Sequence, residues 1–297
     1  MFESVFNRSG LSLDRLLNFC AVAEKGSIAS VAPGDSARQS LISRQIGELE
    51  EFFGVELVRR QGRGLALTEE GRELAALAKD HFKGLADFSN RQSGRSWTVQ
   101  LVAPNSVTQW ALLPQMASLK EQFPKTRWQI HHAQTSEMIS GLREGHYDLA
   151  ILRKDAVPED LASKGWGRMK FSFLLPKTLV SKRARSLGDA LTSSPVALPI
   201  GGTLRQSVES LVPHSAQKID IRFACSSYLQ AWQLAQAGVC GAVLPSFGDK
   251  QRKQEGFYTW SVPYQFPLSL AWTRRNARVR SQLDTLIDSI GKLAPGN

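Results

Sequence analysis

Gln39, Ser40, Ser43 and Arg44 lie on the polar side of one helix-periodic segment. Amide and hydroxyl groups offer both donors and acceptors to base edges, and an arginine fork matches guanine or a phosphate. Close behind them, Arg59, Arg60 and Arg63 flank the turn Gln61-Gly62-Arg63-Gly64, a second cluster suited to phosphate contacts. This is the chemistry of reading a duplex. Catalytic patterns are missing: there is no Gly-rich phosphate loop, Gly-x-Ser-x-Gly elbow or His-Glu-x-x-His. His131 and His132 are neighbours on a predicted strand, so they point to opposite faces and cannot share a metal. The expectation is therefore no enzyme, no metal and no cofactor. The three cysteines, Cys20, Cys225 and Cys240, are widely spaced and form no Cys-x-x-Cys pair. They read as small buried hydrophobes, with a Cys225–Cys240 redox pair as the less favoured alternative.

The elements around these residues follow from periodicity and punctuation. Leu13, Leu16, Leu17, Cys20, Ala21 and Ala23 predict a helix over Leu13–Glu24 that Gly26 stops. A short stretch, Ser27–Ala32, is broken by Pro33-Gly34-Asp35. A second helix, Ala37–Phe53, carries Leu41, Ile42, Ile46, Leu49 and Phe53 on its apolar side and ends at Gly54. Glu56–Arg60 and Leu65–Leu67 read as the strands of a wing. Thr68 then caps a long helix, with Glu69 and Glu70 opposing the positive end of its dipole. Its stripe, Leu74, Leu77, Ala78, Phe82, Leu85 and Phe88, needs a covering surface. We assign Leu74, Leu77, Phe82 and Leu85 to dimerisation, with packing on the same chain as the alternative. After the polar stretch 92–96, strands and helices alternate, which predicts parallel sheet with crossover helices. A single helix is expected over Thr108–Gln122, and short strands over Phe171–Leu175 and Leu268–Thr273.

Composition sets the outer bounds. Hydrophobic residues make up 42% and charged residues 22% of 297 residues, which fits a globular chain of about two domains. The net charge is +10, yet residues 1–90 carry net −2 and the remainder +12. DNA binding by the N-terminal part would thus rest on local arrangement rather than bulk charge. The basic remainder suits an anionic small molecule, DNA in an assembled oligomer, or simply a solvated surface. No apolar run reaches the roughly 18 residues of a membrane span. The first ten residues lack the pattern of a signal peptide, so a cytoplasmic location without a membrane partner is expected.

The ordered set Phe19-x-Ala21-Val22-Ala23-Glu24-x-Gly26-Ser27, Gln39-x-x-Ile42-Ser43-Arg44-Gln45-Ile46-x-x-Leu49-Glu50, Phe53-Gly54-Val55-x-Leu57, Arg59-Arg60 and Gly64-Leu65-x-Leu67-Thr68-Glu69-x-Gly71 resembles the DNA-binding domain of LysR-type transcriptional regulators. Leu112-Leu113-Pro114, Phe123-Pro124, Leu142-x-x-Gly145-x-x-Asp148-Leu149-Ala150, Ala237-Gly238-Val239 and Leu244-Pro245 extend the resemblance over nearly the whole chain. It implies a winged helix-turn-helix over residues 1–68, a linker helix and hinge over 69–95, and a two-lobed α/β effector domain like periplasmic binding proteins over 96–297. Lobe I would comprise about 96–153 and 266–297, and lobe II about 154–265. The family's DNA contacts match Gln39, Ser40, Ser43 and Arg44, with Arg59, Arg60, Arg63 and Thr68 on the wing. Its effector positions match Asn105, Ser106, Thr108, Thr135, Ser136, Gly201, Gly202 and Thr203, with Arg205, Trp110 and Phe247 as neighbours of the pocket. The implied partners are double-stranded DNA, further copies of this chain in a dimer or tetramer, a small effector with anions among the candidates, and RNA polymerase. Two features depart from the pattern. Val31-Ala32-Pro33-Gly34-Asp35 replaces an Ala-Ala-x-x-Leu helix, and Ser40 stands where proline is usual. Either the turn is rebuilt or DNA affinity changes. The alternatives are a regulator or DNA-packaging factor that needs no ligand and, less favoured, a periplasmic-type solute binder.

Overall fold

The computed structural model describes residues 9–62, 64–180, 182, 184–212, 218–246 and 255–294. Its N-terminal unit packs α1 (Leu13–Lys25), the single turn α2 (Ile28–Val31) and α3 (Ser36–Phe53) against β1 (Val58–Gln61) and β2 (Gly64–Leu67). Local chemistry fixes the helix ends. Ser12 accepts from the Arg15 N–H, Asp35 accepts from the Arg38 N–H, and Gly26 and Gly54 end α1 and α3 at positive φ. The strands pair antiparallel, with Val58 opposite Leu67.

The core of this unit comprises Phe19, Val22, Ala32, Ile42, Ile46, Leu49, Leu57 and Ala75. It corrects the sequence-derived faces. Leu13, Leu17, Leu41 and Phe53 are exposed, whereas Phe52 is buried. Phe52 turns inward because the segment before α1 lies across it: a Cβ built on Gly10 would sit 3.2 Å from the Phe52 Cβ. Helix α1 is apolar on two sides, and only the Phe19–Val22 side meets the core.

Thr68 caps the linker helix α4 (Glu69–Gln92). Its inward face is not the leucine stripe but Gly71, Ala75, Ala76, Ala78, Asp80 and Asp87, all buried against the same chain. Small residues allow the close approach. A Cβ on Gly71 would lie 2.0 Å from the Leu57 carbonyl oxygen, and one on Gly84 would lie 2.8 Å from that of Val279. Leu74 packs on the N-terminal core, and Phe82 is half-buried. Leu77, Leu85 and Phe88 stay exposed. Among the described residues no helix is long and apolar enough to cross a membrane.

Beyond the linker, β3 (Trp97–Val102) lies parallel to β4 (Thr126–His131) and β5 (Leu149–Arg153). Likewise β7 (Val196–Pro199) lies parallel to β8 (Ile221–Cys225) and β9 (Gly241–Ser246). Two long antiparallel strands, β6 (Ala162–Pro176) and β10 (Phe257–Trp272), join the halves into one eight-stranded sheet of order β4-β3-β5-β10-β6-β9-β7-β8. The short strands expected at Phe171–Leu175 and Leu268–Thr273 are thus segments of these crossovers. Register shifts between Val262 and Gln265, and between Pro267 and Ser269, break the alternation a sequence reading relies on. The helices of the domain include α5 (Asn105–Val107), α6 (Met116–Gln122), α7 (Thr135–Arg143), α8 (Leu187–Thr192), α9 (Thr203–Glu209), α10 (Tyr228–Gln236), α11 (Arg274–Val279) and α12 (Ser281–Lys292).

Buried charges bind α4 to this domain. The Arg280 guanidinium donates to Asp87 Oδ2 on α4 at 2.6 Å and to the Thr98 carbonyl at 2.8 Å. Its Nη1 lies 2.8 Å from Asp148 Oδ1, too poorly aligned for a hydrogen bond and hence a charge contact. Lys83 reaches from α4 to Asp148 at 2.6 Å, and Arg275 reaches Asp80 at 2.6 Å. Asp148 also accepts from the Gln100 N–H and from the Asn276 amide. Burial alone would push the Asp148 carboxyl up. Lys83, Arg280 and the Gln100 N–H outweigh burial and hold it below its ordinary value.

Arg280→Met leaves Asp87 and Asp148 buried without their shared cation, and should cost about 3–5 kcal/mol by the measured effect of breaking buried pairs. Urea unfolding checks this. A depressed carboxyl contributes stability above its unfolded pKa of about 3.9 and loses that contribution as pH falls through the lower folded value. Acid should therefore narrow the gap between wild type and Arg280→Met.

Candidate DNA interface and interlobe cleft

Helix α3 leads with an open polar surface. Arg38, Ser40, Leu41, Ser43 and Arg44 are exposed on its first turns. Arg44 approaches Glu48 only loosely, at 3.6 Å, and remains largely free to reach a duplex. Sequence reasoning missed Arg38 and Leu41. Periodicity puts Leu41 in the core, but the structure exposes it, and an apolar side chain on this surface suits a thymine methyl.

Gln39 behaves differently. Its Nε2 donates to the Ala32 carbonyl at 2.7 Å, bridging the interrupted turn. Ala32 is buried, Gly34 takes φ +76°, and Asp35 caps α3. The turn is rebuilt: the Ala32 carbonyl accepts from the Gln39 side-chain amide and, at 3.4 Å, from the Asp35 N–H.

In the wing, Arg59 and Arg60 are exposed, with Arg59 held by Glu56 at 2.6 Å. Arg63 lies outside the described residues. Thr68 is buried; its hydroxyl donates to the Glu56 carbonyl at 2.6 Å and accepts from the Gly71 N–H at 2.9 Å. Both roles are intramolecular, so Thr68 holds the wing on α4 and has no free hydroxyl for DNA.

The second candidate region lies where the lobes meet. The helix expected over Thr108–Gln122 is broken into a wide π turn (Thr108–Leu112), a tight turn (Leu113–Gln115) containing Pro114, and α6. Such π turns recur at functional sites. Thr108 is buried here, and its hydroxyl has no hydrogen-bond partner. Asn105 is exposed and Ser106 half-buried. Thr135 and Ser136 are exposed at the start of α7, where Glu137 accepts from the Gln134 N–H. Gly201 and Gly202 are exposed, and Gly202 enters α9 at φ +94°.

Thr203 meets the Tyr264 hydroxyl at 2.5 Å, joining α9 to a crossover strand. Arg205 is committed to Glu209 and to the Pro199 and Ile200 carbonyls. Trp110 of lobe I packs edge-on against Tyr228 of lobe II at 6.5 Å between ring centres. Phe171 contacts Tyr228, Tyr264 and Phe266, and Arg153 sits 4.8 Å over Phe266 while pairing with Asp155. Burial, with the neighbouring Tyr264, pushes the Tyr228 phenol up to about 12. Apart from Trp110, none of these ring residues stood out in sequence: Tyr264 follows Pro263 in an apparent gap, and Phe171 reads as an ordinary core residue. Phe247 lies outside the described residues.

The three cysteines are free and buried. Burial pushes Cys20 and Cys240 up to about 11 and raises Cys225 as well. Cys225 and Cys240 sit in one apolar cluster. These thiols pack as hydrophobes, an environment that disfavours the reactive thiolate.

Residues 13–72 match the bacterial regulatory helix-turn-helix protein, lysR family, and residues 92–293 match the LysR substrate binding domain. The chain belongs to the LysR family. It is similar to the regulator TdcA of Escherichia coli K12, 31% identical over 140 residues, or 46% of this chain and 45% of that protein. It is also similar to GltC, a transcriptional dual regulator of Bacillus subtilis, 29% identical over 206 residues, 66% of this chain and 68% of that protein. The chain thus spans about half the length of TdcA and two thirds of GltC. The fold resembles full-length LysG of Corynebacterium glutamicum with bound effector Arg, at TM-score 0.68 and 17% identity, covering 97% of this chain and all of that one. It also resembles full-length OxyR of Pseudomonas aeruginosa, at TM-score 0.62 and 18% identity, covering 95% and 97%.

Thr68→Val removes the cap and should destabilise the N-terminal unit by about 1 kcal/mol in a thermal melt without DNA. An unchanged melting temperature would mean that the hydroxyl does not hold the wing.

Proposed function

We propose that this LysR-family chain is a sequence-specific DNA-binding regulator of transcription that responds to a small molecule held between its two lobes. The observation that carries the reading is the open start of α3, where Arg38, Ser40, Leu41, Ser43 and Arg44 stand free above a packed core and beside an arginine-bearing wing. A helix so presented fits the major groove, Ser43 and Arg44 reading base edges and Arg59 and Arg60 neutralising phosphate.

The chain acts as an oligomer in this reading. Leu13 and Leu17 on α1 and Leu77, Leu85 and Phe88 on α4 are large exposed apolar residues, and a second copy would cover them. Paired copies bind an inverted repeat whose symmetry mirrors their own. The effector acts by population shift, binding one arrangement of the lobes better than another. Lobe I is tied to α4 by the Arg280 network, so a change in the lobes reaches the linker helix and the spacing of the DNA-binding units. Altered DNA bending or contact with RNA polymerase is the final step. The LysG structure, with its Arg effector, supports an effector of metabolite size. The charges named near the seam are already paired, Arg153 with Asp155 and Arg205 with Glu209, which weakens the case for an anion there.

Selection of bound sequences from random duplex DNA at physiological salt tests the reading. An interrupted palindrome should emerge, and Arg44→Ala should lose roughly 1–3 kcal/mol of discrimination at one symmetric position of the motif. Binding with a steep salt slope and no enriched motif would instead indicate phosphate contacts alone.

A further inference from the structure

Cations of the effector domain meet carboxylates at several places: Arg143 pairs with Asp160, Arg153 with Asp155, Lys164 with Asp288 and Arg222 with Asp220. At the hinge, three cations gather without one. Arg91 lies in the last turn of α4, Arg95 in the hinge, and Lys125 just before β4. All three are exposed, and none forms an ion pair among the described residues. With Trp97, Phe123 and Gln282 they line a cavity of about 400 Å³, a size that holds a small metabolite. No carboxylate is among its described lining residues.

The backbone forces this grouping. The Trp97 N–H donates to the Lys125 carbonyl at 3.0 Å, which seats the hinge against the start of β4. Gly94 turns the chain at φ +67°, and a Cβ built on it would lie 3.8 Å from Lys125 Nζ. Like charges gathered in a concave site focus the field and draw anions to it. The cavity is also remote from the seam between the lobes. It opens at the first residues of β3 and β4, whereas Asn105 and Thr108 follow β3 at its other end, about 20 Å along a six-residue strand. It adjoins the seat of the linker helix instead. Arg91 donates to Ser281 Oγ at 2.7 Å, and the neighbouring Arg280 guanidinium sits 5.3 Å over the Trp97 ring.

We propose that this hinge cavity is a second ligand site, independent of any effector held between the lobes, and that it takes a small polyanion, a phosphate ester or a polycarboxylate. Arg91 and Arg95 offer forks that match either group, and Lys125 adds a point charge. Phe123 and Pro124 supply an apolar wall for the carbon skeleton. Such a ligand bridges α4, the hinge and lobe I, and so holds the linker helix in its seat.

Calorimetric titration of the full chain at constant ionic strength tests this, with pyrophosphate and citrate as probes and acetate as the monovalent control. At least one polyanion should bind once per chain with a dissociation constant of about 1 mM or lower, at least roughly tenfold tighter than acetate. The tighter of the two tells a phosphoryl ligand from a polycarboxylate. Arg95→Gln and Lys125→Gln should each weaken it roughly tenfold. Neither side chain makes a hydrogen bond or ion pair within the described chain, so both variants should melt like wild type without ligand. Lys218→Gln in lobe II and Arg44→Ala on α3 remove the same charge elsewhere and should leave binding unchanged. Polyanions no tighter than acetate would overturn the proposal, as would equal losses in the control variants, the mark of bulk charge. Should neither polyanion bind while Arg95→Gln flattens the salt slope of duplex binding, the cavity serves DNA phosphates and the proposal falls.

Discussion

Arg280 is 2% exposed, and its guanidinium lies between Asp87 of the linker helix and Asp148 at the foot of β5. Taking such groups out of water is expensive, and a buried pair often stabilises no more than apolar residues of similar volume. What it enforces is position. Asp87 and Asp80 on α4 would lose Arg280 and Arg275 if the helix moved away, so the helix has one favourable seat on the domain. Lys83 on Asp148 and Arg275 on Asp80 repeat the constraint along the same face. The glycine at position 84 follows from it, since that seat brings α4 within van der Waals range of the Val279 carbonyl. Leu77, Leu85 and Phe88 then lie elsewhere on the helix, exposed.

This seat places the linker helix on lobe I, while lobe II connects to it through β6 and β10. Both crossovers lie side by side at the middle of the sheet. Their irregular register around Val262–Gln265 falls where the rings of the seam gather. The two lobes therefore meet at β6 and β10, and the Arg280, Lys83 and Arg275 pairs join α4 to lobe I.

The DNA-binding unit shows how a broken local rule is repaired. Pro33 and Gly34 cut the second helix short, and the Asp35 N–H and the Gln39 side chain both donate to the Ala32 carbonyl across the turn. A residue that the family resemblance gives to DNA thus serves the scaffold first. Thr68 does the same, with both hydrogen-bonding roles used inside the protein. Ser43, Arg44, Arg38 and Leu41 keep exposed side chains on the first turns of α3.

Much of the fold was legible in the sequence because helix ends are local chemistry. Thr68 caps its helix, Gly26 and Gly54 stop theirs, and the run from Phe19 to Gly71 carries the family pattern. Alternating strands and helices gave the two parallel β-sheet segments. The crossovers were harder, since bulges and prolines erase a period of two. Periodicity shows that α1 and α4 are amphipathic, but not which partner covers each face. Tertiary structure decided that small and acidic residues of α4 face the chain itself and that Leu77 and Leu85 face outward. It also decided which hydroxyls are already engaged, and it gathered Trp110, Phe171, Tyr228 and Tyr264 at one seam. Arg280 and Asp87 lie 193 residues apart. A sequence records local propensity, whereas the burial of a charge depends on contacts between segments that only the folded chain brings together.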